Sequence, residues 1–171
     1  RKKKDKDLSK SCILGFEKSK YKNILVMDGD FQHHPKYILN LVRNFNRTNC
    51  DIVVGARDLT STKKTKLSIF RLGSSFIVTT FLNIAFGKKT SDPLTGFFLF
   101  KKEIYKKNKK LLFAKGYKIL ADLIYSSKEK LNIVDVGINF GNRAKGESKM
   151  SFKILIILIS FIAQKFQNRV F

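Results

Sequence analysis

The chain has 171 residues, 43% of them hydrophobic, enough for one domain with a real core, and no internal repeat runs through it. Its formal charge of +22 leaves three kinds of anionic partner open: nucleic acid, a membrane surface or a phosphorylated substrate. The abundance of Lys, Asn, Ile and Phe, with 2 Pro and no Trp, is also what A+T-rich coding produces, so part of that charge carries no functional message. The two cysteines, Cys12 and Cys50, lie in apolar contexts without metal-ligand spacing. They read as small core residues, and nothing about them suggests an oxidising compartment.

Residues 1–7 form a charged lead-in. From Leu8 to Lys18 the apolar positions Leu8, Cys12, Ile13 and Phe16 predict an amphipathic helix, with Ser9 as its candidate cap. Ile24-Leu25-Val26-Met27 is a short apolar run ending in acids, which predicts a buried parallel strand over Asn23 to Met27. Pro35 suits the first turn of a helix whose apolar face is Ile38, Leu39, Leu41, Val42 and Phe45. That helix ends at Asn46-Arg47-Thr48, a glycosylation sequon read here as chance. Asp51 to Gly55 is a second buried strand. Strand, helix and strand with polar strand ends predict an α/β domain with a parallel, doubly wound sheet. Ligands of such sheets sit beyond the carboxyl ends of the strands. Asp28 and Asp30 follow the first strand and Arg57 the second, so both sets point to one rim.

Residues 58–66 read as a polar, Lys-rich loop, and Leu67 to Phe86 as an apolar helix or helix pair interrupted by Gly73-Ser74-Ser75. Lys88 to Pro93 is a turn, Gly96 to Phe100 a strand, Tyr117 to Ser126 a helix and Asn132 to Phe140 a strand. Gly141 to Lys149 is a basic loop. The lysines at 101, 102, 106, 107, 109 and 110 read as a solvated face. The tail from Met150 to Phe171 is an apolar helix, too short beyond Lys153 for the roughly 20 apolar residues that span a bilayer. It suits an interfacial helix, with a core helix packed on the sheet as the alternative.

Two carboxylates one residue apart on a turn after a strand suit a hard divalent cation, Mg²⁺ or Mn²⁺, which takes oxygen ligands and keeps places for water and phosphate. Gly29 is expected to let the chain turn tightly between them. A solvated acidic turn, or a cap for the helix at Pro35, is the competing reading. His33-His34 does not make a zinc site, because adjacent side chains diverge and no third His exists.

The run Ile24-Leu-Val-Met-Asp-Gly-Asp-Phe-Gln-His-His-Pro35 resembles the polyprenol- and dolichol-phosphate mannosyltransferases and their bacterial relatives, within the inverting family-two glycosyltransferases. Their pattern is an apolar strand followed by Met-Asp-Ala-Asp-Leu-Gln-His-Pro-Pro. Gly29, Phe31 and His34 depart from it and leave the metal ligands intact. Asp51-Ile-Val-Val-Gly-Ala-Arg57, Arg71-Leu-Gly-Ser-Ser75, Ser91-Asp-Pro-Leu-Thr-Gly-Phe-Phe98, Gly116-Tyr-Lys-Ile-Leu120 and Phe140-Gly-Asn-Arg-Ala-Lys-Gly-Glu-Ser-Lys149 resemble later blocks of the same family in order and spacing.

The resemblance implies a GT-A-like fold, with a mixed, mostly parallel sheet flanked by helices and the first βα units missing, roughly 60 residues. It implies a catalytic domain over 1–150 and an apolar, membrane-interfacial helix over 151–171. It assigns Asp28, Asp30 and Gln32 to the metal and donor diphosphate, and Arg57, Arg71 and Ser75 to the acceptor phosphate. Arg143 and Lys149 become phosphate clamps, and Asp92 positions sugar or acceptor. The implied activity is inverting transfer of a hexose, mannose from GDP-mannose, to a polyprenyl or dolichyl phosphate at the cytoplasmic face of a membrane. Glucosyl, N-acetylglucosaminyl or aminoarabinosyl transfer are the alternatives. The implied truncation leaves this chain inactive by itself. A nucleic-acid-binding module would need aromatics interleaved with basic residues on the surface. The Phe residues instead sit in apolar runs, so nucleic acid is not expected as a partner. A membrane-associated scaffold without catalysis is the remaining class.

Overall fold

The computed structural model describes residues 7–30, 32–57, 79–116, 118–139 and 152–170. The elements in chain order are α1 (Leu8–Lys18), β1 (Asn23–Met27), a 3-10 turn (Pro35–Tyr37), α2 (Ile38–Thr48), β2 (Ile52–Arg57), α3 (79–86), β3 (Phe97–Lys101), α4 (Lys102–Asn108), a second 3-10 turn (Lys109–Leu111), α5 (Ile119–Ser126), β4 (Ile133–Ile138) and α6 (Phe152–Val170). The predicted loops at 58–66 and 141–149, and the predicted helix over 67–78, lie outside the described residues.

The strands form one mixed sheet in the order β1-β3-β2-β4. β1, β2 and β4 run the same way, and β3 runs against them between β1 and β2. The predicted strand–helix–strand unit is therefore present, but its strands are not neighbours. β1 is also less buried than a doubly wound sheet requires: its middle residues are half-buried and its ends exposed. Among the described strands it is an edge, paired with β3 alone, and Ile24, Leu25 and Val26 pack partly buried against the two faces of the core.

Alternation across the pleat divides the core in two. On one face Val53, Phe97, Leu99 and Ile138 pack with Leu41 and Phe45 of α2. On the other, Ile52, Val54, Phe98 and Phe100 meet Phe16 of α1, Leu82 and Phe86 of α3, Ile104 of α4, α5 and Phe161 of α6. With both faces covered, β3 reads as an unbroken apolar run, Phe-Phe-Leu-Phe. Burying each such side chain contributes about 1.5–3 kcal/mol relative to exposure. Phe16 stands edge-on to Phe100 at 5.0 Å, which fixes α1 on the sheet.

Several local expectations are corrected. Asp7, not Ser9, caps α1, its side chain accepting from the Lys10 amide. Ser9 is instead buried against the Gly116 carbonyl, to which its amide donates. Pro35 opens the 3-10 turn rather than α2 itself. Leu39 and Val42 are exposed, so the buried stripe of α2 narrows to Leu41 and Phe45. α2 ends at Asn49, whose left-handed φ of 45° Asn tolerates better than most residues. Lys101 and Lys102 are not part of a solvated face. Lys101 pairs with Asp51 at 3.0 Å, and Lys102 donates to the Ser19 carbonyl at 2.6 Å.

Beside the packing of Phe161, a buried ion pair ties the tail helix to the core. Lys165 Nζ lies 2.6 Å from Asp122 Oδ1, and the two side chains are 1% and 3% exposed. Lys165 also donates to the Leu111 carbonyl and to Ser126 Oγ, while Asp122 accepts from the amides of Phe113 and Ala114. One carboxylate thus joins α5, α6 and the loop between α4 and α5.

Candidate active site

The acidic turn begins where β1 runs out of partners. Asp28 N donates to the Gly96 carbonyl at 3.0 Å, the last tie between β1 and the segment entering β3. The Asp28 carboxylate lies over the Cα of Gly96, where any Cβ would overlap both of its oxygens. That close approach explains a glycine at 96. Gly29 needs no such account. Its φ lies outside the left-handed region, and a Cβ there would enter open space. The expectation that Gly29 makes the turn possible is therefore corrected, and Ala, which the resembled pattern carries at this place, fits the same backbone. Asp30 Oδ1 accepts from the Gln32 amide at 3.1 Å, a local turn that fixes the second carboxylate against its own backbone.

The two histidines diverge as expected. His34 Nδ1 accepts from the Lys36 amide and caps the 3-10 turn at the surface. His33 points inward, is buried, and lies with its ring 5.1 Å from that of Phe97. Burial pushes the His33 pKa down; Asp30 and Asp92 pull it up and Arg57 lowers it further. His33 therefore sits within electrostatic reach of both halves of the rim.

The other half is an ion pair. Arg57, the last residue of β2, places Nε 3.2 Å from Asp92 Oδ2, with side chains 28% and 10% exposed. Asp92 comes from the loop between α3 and β3. Because β3 is antiparallel to its neighbours, its entry lies at the same rim as the exits of β1 and β2. Thr95 Oγ1 donates to the Gly55 carbonyl of β2 at 3.1 Å. On the far side, Asp135 of β4 accepts from Thr90 Oγ1 at 2.5 Å and from the Ser91 amide at 2.7 Å. The loop is thus held from β4 across β2 to β1.

Of the residues singled out in the sequence, Asp28, Asp30, Gln32, Arg57 and Asp92 come together on this rim. Arg71, Ser75, Arg143 and Lys149 lie outside the described residues. His33, Thr90, Thr95, Gly96 and Asp135 were not singled out for the site. Asp135 carried a signal: it is an acid in the middle of the apolar strand Ile-Val-Asp-Val-Gly-Ile.

Comparison with known proteins gives this rim its context. The sequence pattern of glycosyl transferase family 2 matches residues 1–108, which hold β1, the acidic turn, β2, Asp92 and β3. The chain belongs to glycosyl transferase family 2. A curated relative named dolichol-phosphate mannosyltransferase from Pyrococcus furiosus is 31% identical over 91% of this chain and 44% of its own length. Another of the same name from Mycosarcoma maydis is 25% identical over 96% of this chain and 56% of its own length. The chain therefore spans about half the length of the curated relatives it matches. Among solved structures, glucosyl-3-phosphoglycerate synthase from Mycobacterium tuberculosis, in complex with Mn²⁺, uridine-diphosphate-glucose and phosphoglyceric acid, superposes with a TM-score of 0.61 at 18% identity. That match covers 94% of this chain and 54% of the other. The fold of this family-two chain is thus GT-A-like, a mixed sheet flanked by helices.

Proposed function

We propose that the protein to which this chain belongs transfers a hexose, mannose from GDP-mannose, with inversion onto a polyprenyl or dolichyl phosphate at the cytoplasmic face of a membrane. One observation carries the reading. A two-carboxylate turn and an ion-paired arginine share a rim in a chain similar over most of its length to proteins named dolichol-phosphate mannosyltransferase. Such a transfer has to align two anionic groups, the donor diphosphate and the acceptor phosphate.

Among the described residues no group of three or more His, Cys, Asp or Glu side chains could cage a metal. Two half-exposed carboxylates on one turn instead fit a hard cation that keeps water and phosphate ligands, and they do not fit a zinc cage. Asp28 and Asp30, with Gln32 beside them, would hold Mg²⁺ or Mn²⁺. When bound, the ion neutralises charge on the leaving diphosphate. The likeness to a solved synthase holding Mn²⁺ and uridine-diphosphate-glucose supports a divalent ion. Asp92 holds Arg57 at Nε and so fixes the plane of a guanidinium suited to phosphate oxygens. Arg71 and Ser75 join Arg57 at the acceptor phosphate in this reading, and Arg143 and Lys149 clamp donor or acceptor phosphate. A phosphate monoester is largely dianionic near neutral pH, so it attacks without a strong base. Asp92 positions groups rather than taking a proton.

The membrane part of the proposal rests on two helices. Phe81 and Ile84 of α3 are 60% and 79% exposed, and Ile159 and Phe166 of α6 are also exposed. The rings of Phe86 and Phe166, 5.0 Å apart, hold these helices side by side. No helix among the described residues is long and apolar enough to cross a membrane. A shallow seat at the lipid interface, with Lys-rich flanks, accounts for such exposed apolar side chains.

The test uses the full-length protein with labelled GDP-mannose, Mg²⁺ or Mn²⁺, and polyprenyl phosphate. Labelled lipid that forms with wild type and disappears in Asp30→Ala is the expected result. Transfer from a glucosyl, N-acetylglucosaminyl or aminoarabinosyl donor instead would correct the sugar and keep the acceptor. No labelled lipid with any of these donors would sink the proposal.

A further inference from the structure

We propose that Asp135 is a positioning residue for the Arg57–Asp92 pair, acting through Thr90 and Ser91; the inference rests on the reading of Arg57 given above. Asp135 stands on β4, level with Val54 of β2 and 45 residues along the chain from Thr90. Its two oxygens divide the work: Oδ1 takes the Thr90 hydroxyl proton and Oδ2 the Ser91 amide. Both bonds are charge-assisted and short, the stronger kind. Thr90 is buried, and its hydroxyl oxygen also accepts from the Asp92 amide at 3.4 Å. With its proton committed to Asp135, the hydroxyl offers Asp92 a lone pair and nothing else. The backbone of residues 90–92 is thereby pinned to a strand that is itself paired along β2 as far as Arg57 and Ile138.

The geometry matters because Arg57 and Asp92 approach the rim from different supports. Arg57 leaves the end of β2, whereas Asp92 belongs to a loop with no secondary structure of its own. A functional group on a loop is only as well placed as what holds the loop. Thr95 holds its far end to β2, and Asp135 holds its near end to β4. An exposed carboxylate in mid-strand adds little to a core, so its placement points to this loop.

The test compares Thr90→Val, Thr90→Ser and Asp135→Asn in the full-length protein, with Arg57→Lys used to assign the Arg57 Nε–H resonance. In Thr90→Val and Asp135→Asn, the Arg57 Nε–H is expected to exchange with water about tenfold faster or more, as its partner wanders. With labelled GDP-mannose and polyprenyl phosphate, kcat is expected to fall about 10- to 100-fold, as misplacement near an angstrom does. The donor KM stays within about twofold and Tm within about 2 °C. Thr90→Ser keeps the hydroxyl and restores both readouts. The double variant Thr90→Val with Asp135→Asn is no worse than the poorer single one, because both cut one chain of bonds. An unchanged Arg57 exchange rate overturns the inference. So does a fall in Tm with kcat and KM changed together, since that is loss of fold. If wild type transfers no sugar, the functional reading has failed, and the Arg57 resonance still decides the positioning role.

Discussion

Lys165→Met is expected to destabilise the fold by about 3–5 kcal/mol, the usual cost of breaking one side of a buried ion pair. The magnitude follows from what stays behind. Met fills nearly the same volume, so no large cavity opens. Asp122, 3% exposed on its side chain, keeps the amides of Phe113 and Ala114 at 3.0 and 2.8 Å but loses its only described cationic partner. The Leu111 carbonyl loses the Lys165 donor at 2.8 Å and keeps the Ser126 hydroxyl at 3.2 Å. Burial pushes the Lys165 pKa below its ordinary value, and Asp122 offsets only part of that. Total stabilities of about 5–15 kcal/mol make this loss a large fraction. Tm should drop by about 6–20 °C for a chain of this size. Urea and thermal denaturation measure both quantities. Adding Asp122→Asn to Lys165→Met removes the orphaned charge, so the double variant recovers part of the loss, with a coupling of about 1–3 kcal/mol. If Lys165→Met lies within about 1 kcal/mol of wild type, the pair behaves as a surface pair and α6 is not docked through it.

The glycines give a paired prediction. Gly96→Ala drives a Cβ into the Asp28 carboxylate and should weaken Mn²⁺ binding to the full-length protein by about 10- to 100-fold, whereas Gly29→Ala should leave stability within about 0.5 kcal/mol. Titration calorimetry and denaturation distinguish them, and equal effects would refute the assigned contact. Lys118 gives a pH signature. Its Nζ is buried without a hydrogen-bond partner among the described residues, and desolvation lowers its pKa from 10.5 to about 8. The folded pKa lies below the unfolded one, so this group's contribution is fully present above pH 10.5 and is lost as pH falls through about 8. Lys118→Met should therefore be more stable than wild type at pH 7 by about 3 kcal/mol, a gap that closes toward pH 10.5. Parallel stability profiles for the two proteins would show that the amine is hydrated.

Much of this architecture is local in origin. Apolar runs bounded by polar residues mark Asn23–Met27 to the residue and β2, β3 and β4 to within a few, because strand and helix periods are written in nearest neighbours. The strand-end positions of Asp28, Asp30 and Arg57 likewise put them on one rim. Local pattern does not encode which strand lies beside which. A period of two reads the same in either direction, so the antiparallel insertion of β3 between β1 and β2 was not legible. That insertion brings Gly96 under the Asp28 carboxylate and delivers Asp92 to Arg57. The sequence by itself determined the four strands, the acidic turn and the family; helix α4, read from its lysines as a solvated face, was not among its elements. Only the tertiary structure decided why residue 96 is glycine, which acid holds Arg57, and that Asp135 reaches across β2 to the loop carrying it. These are contacts between residues tens of positions apart, set by packing on both sheet faces rather than by any local preference.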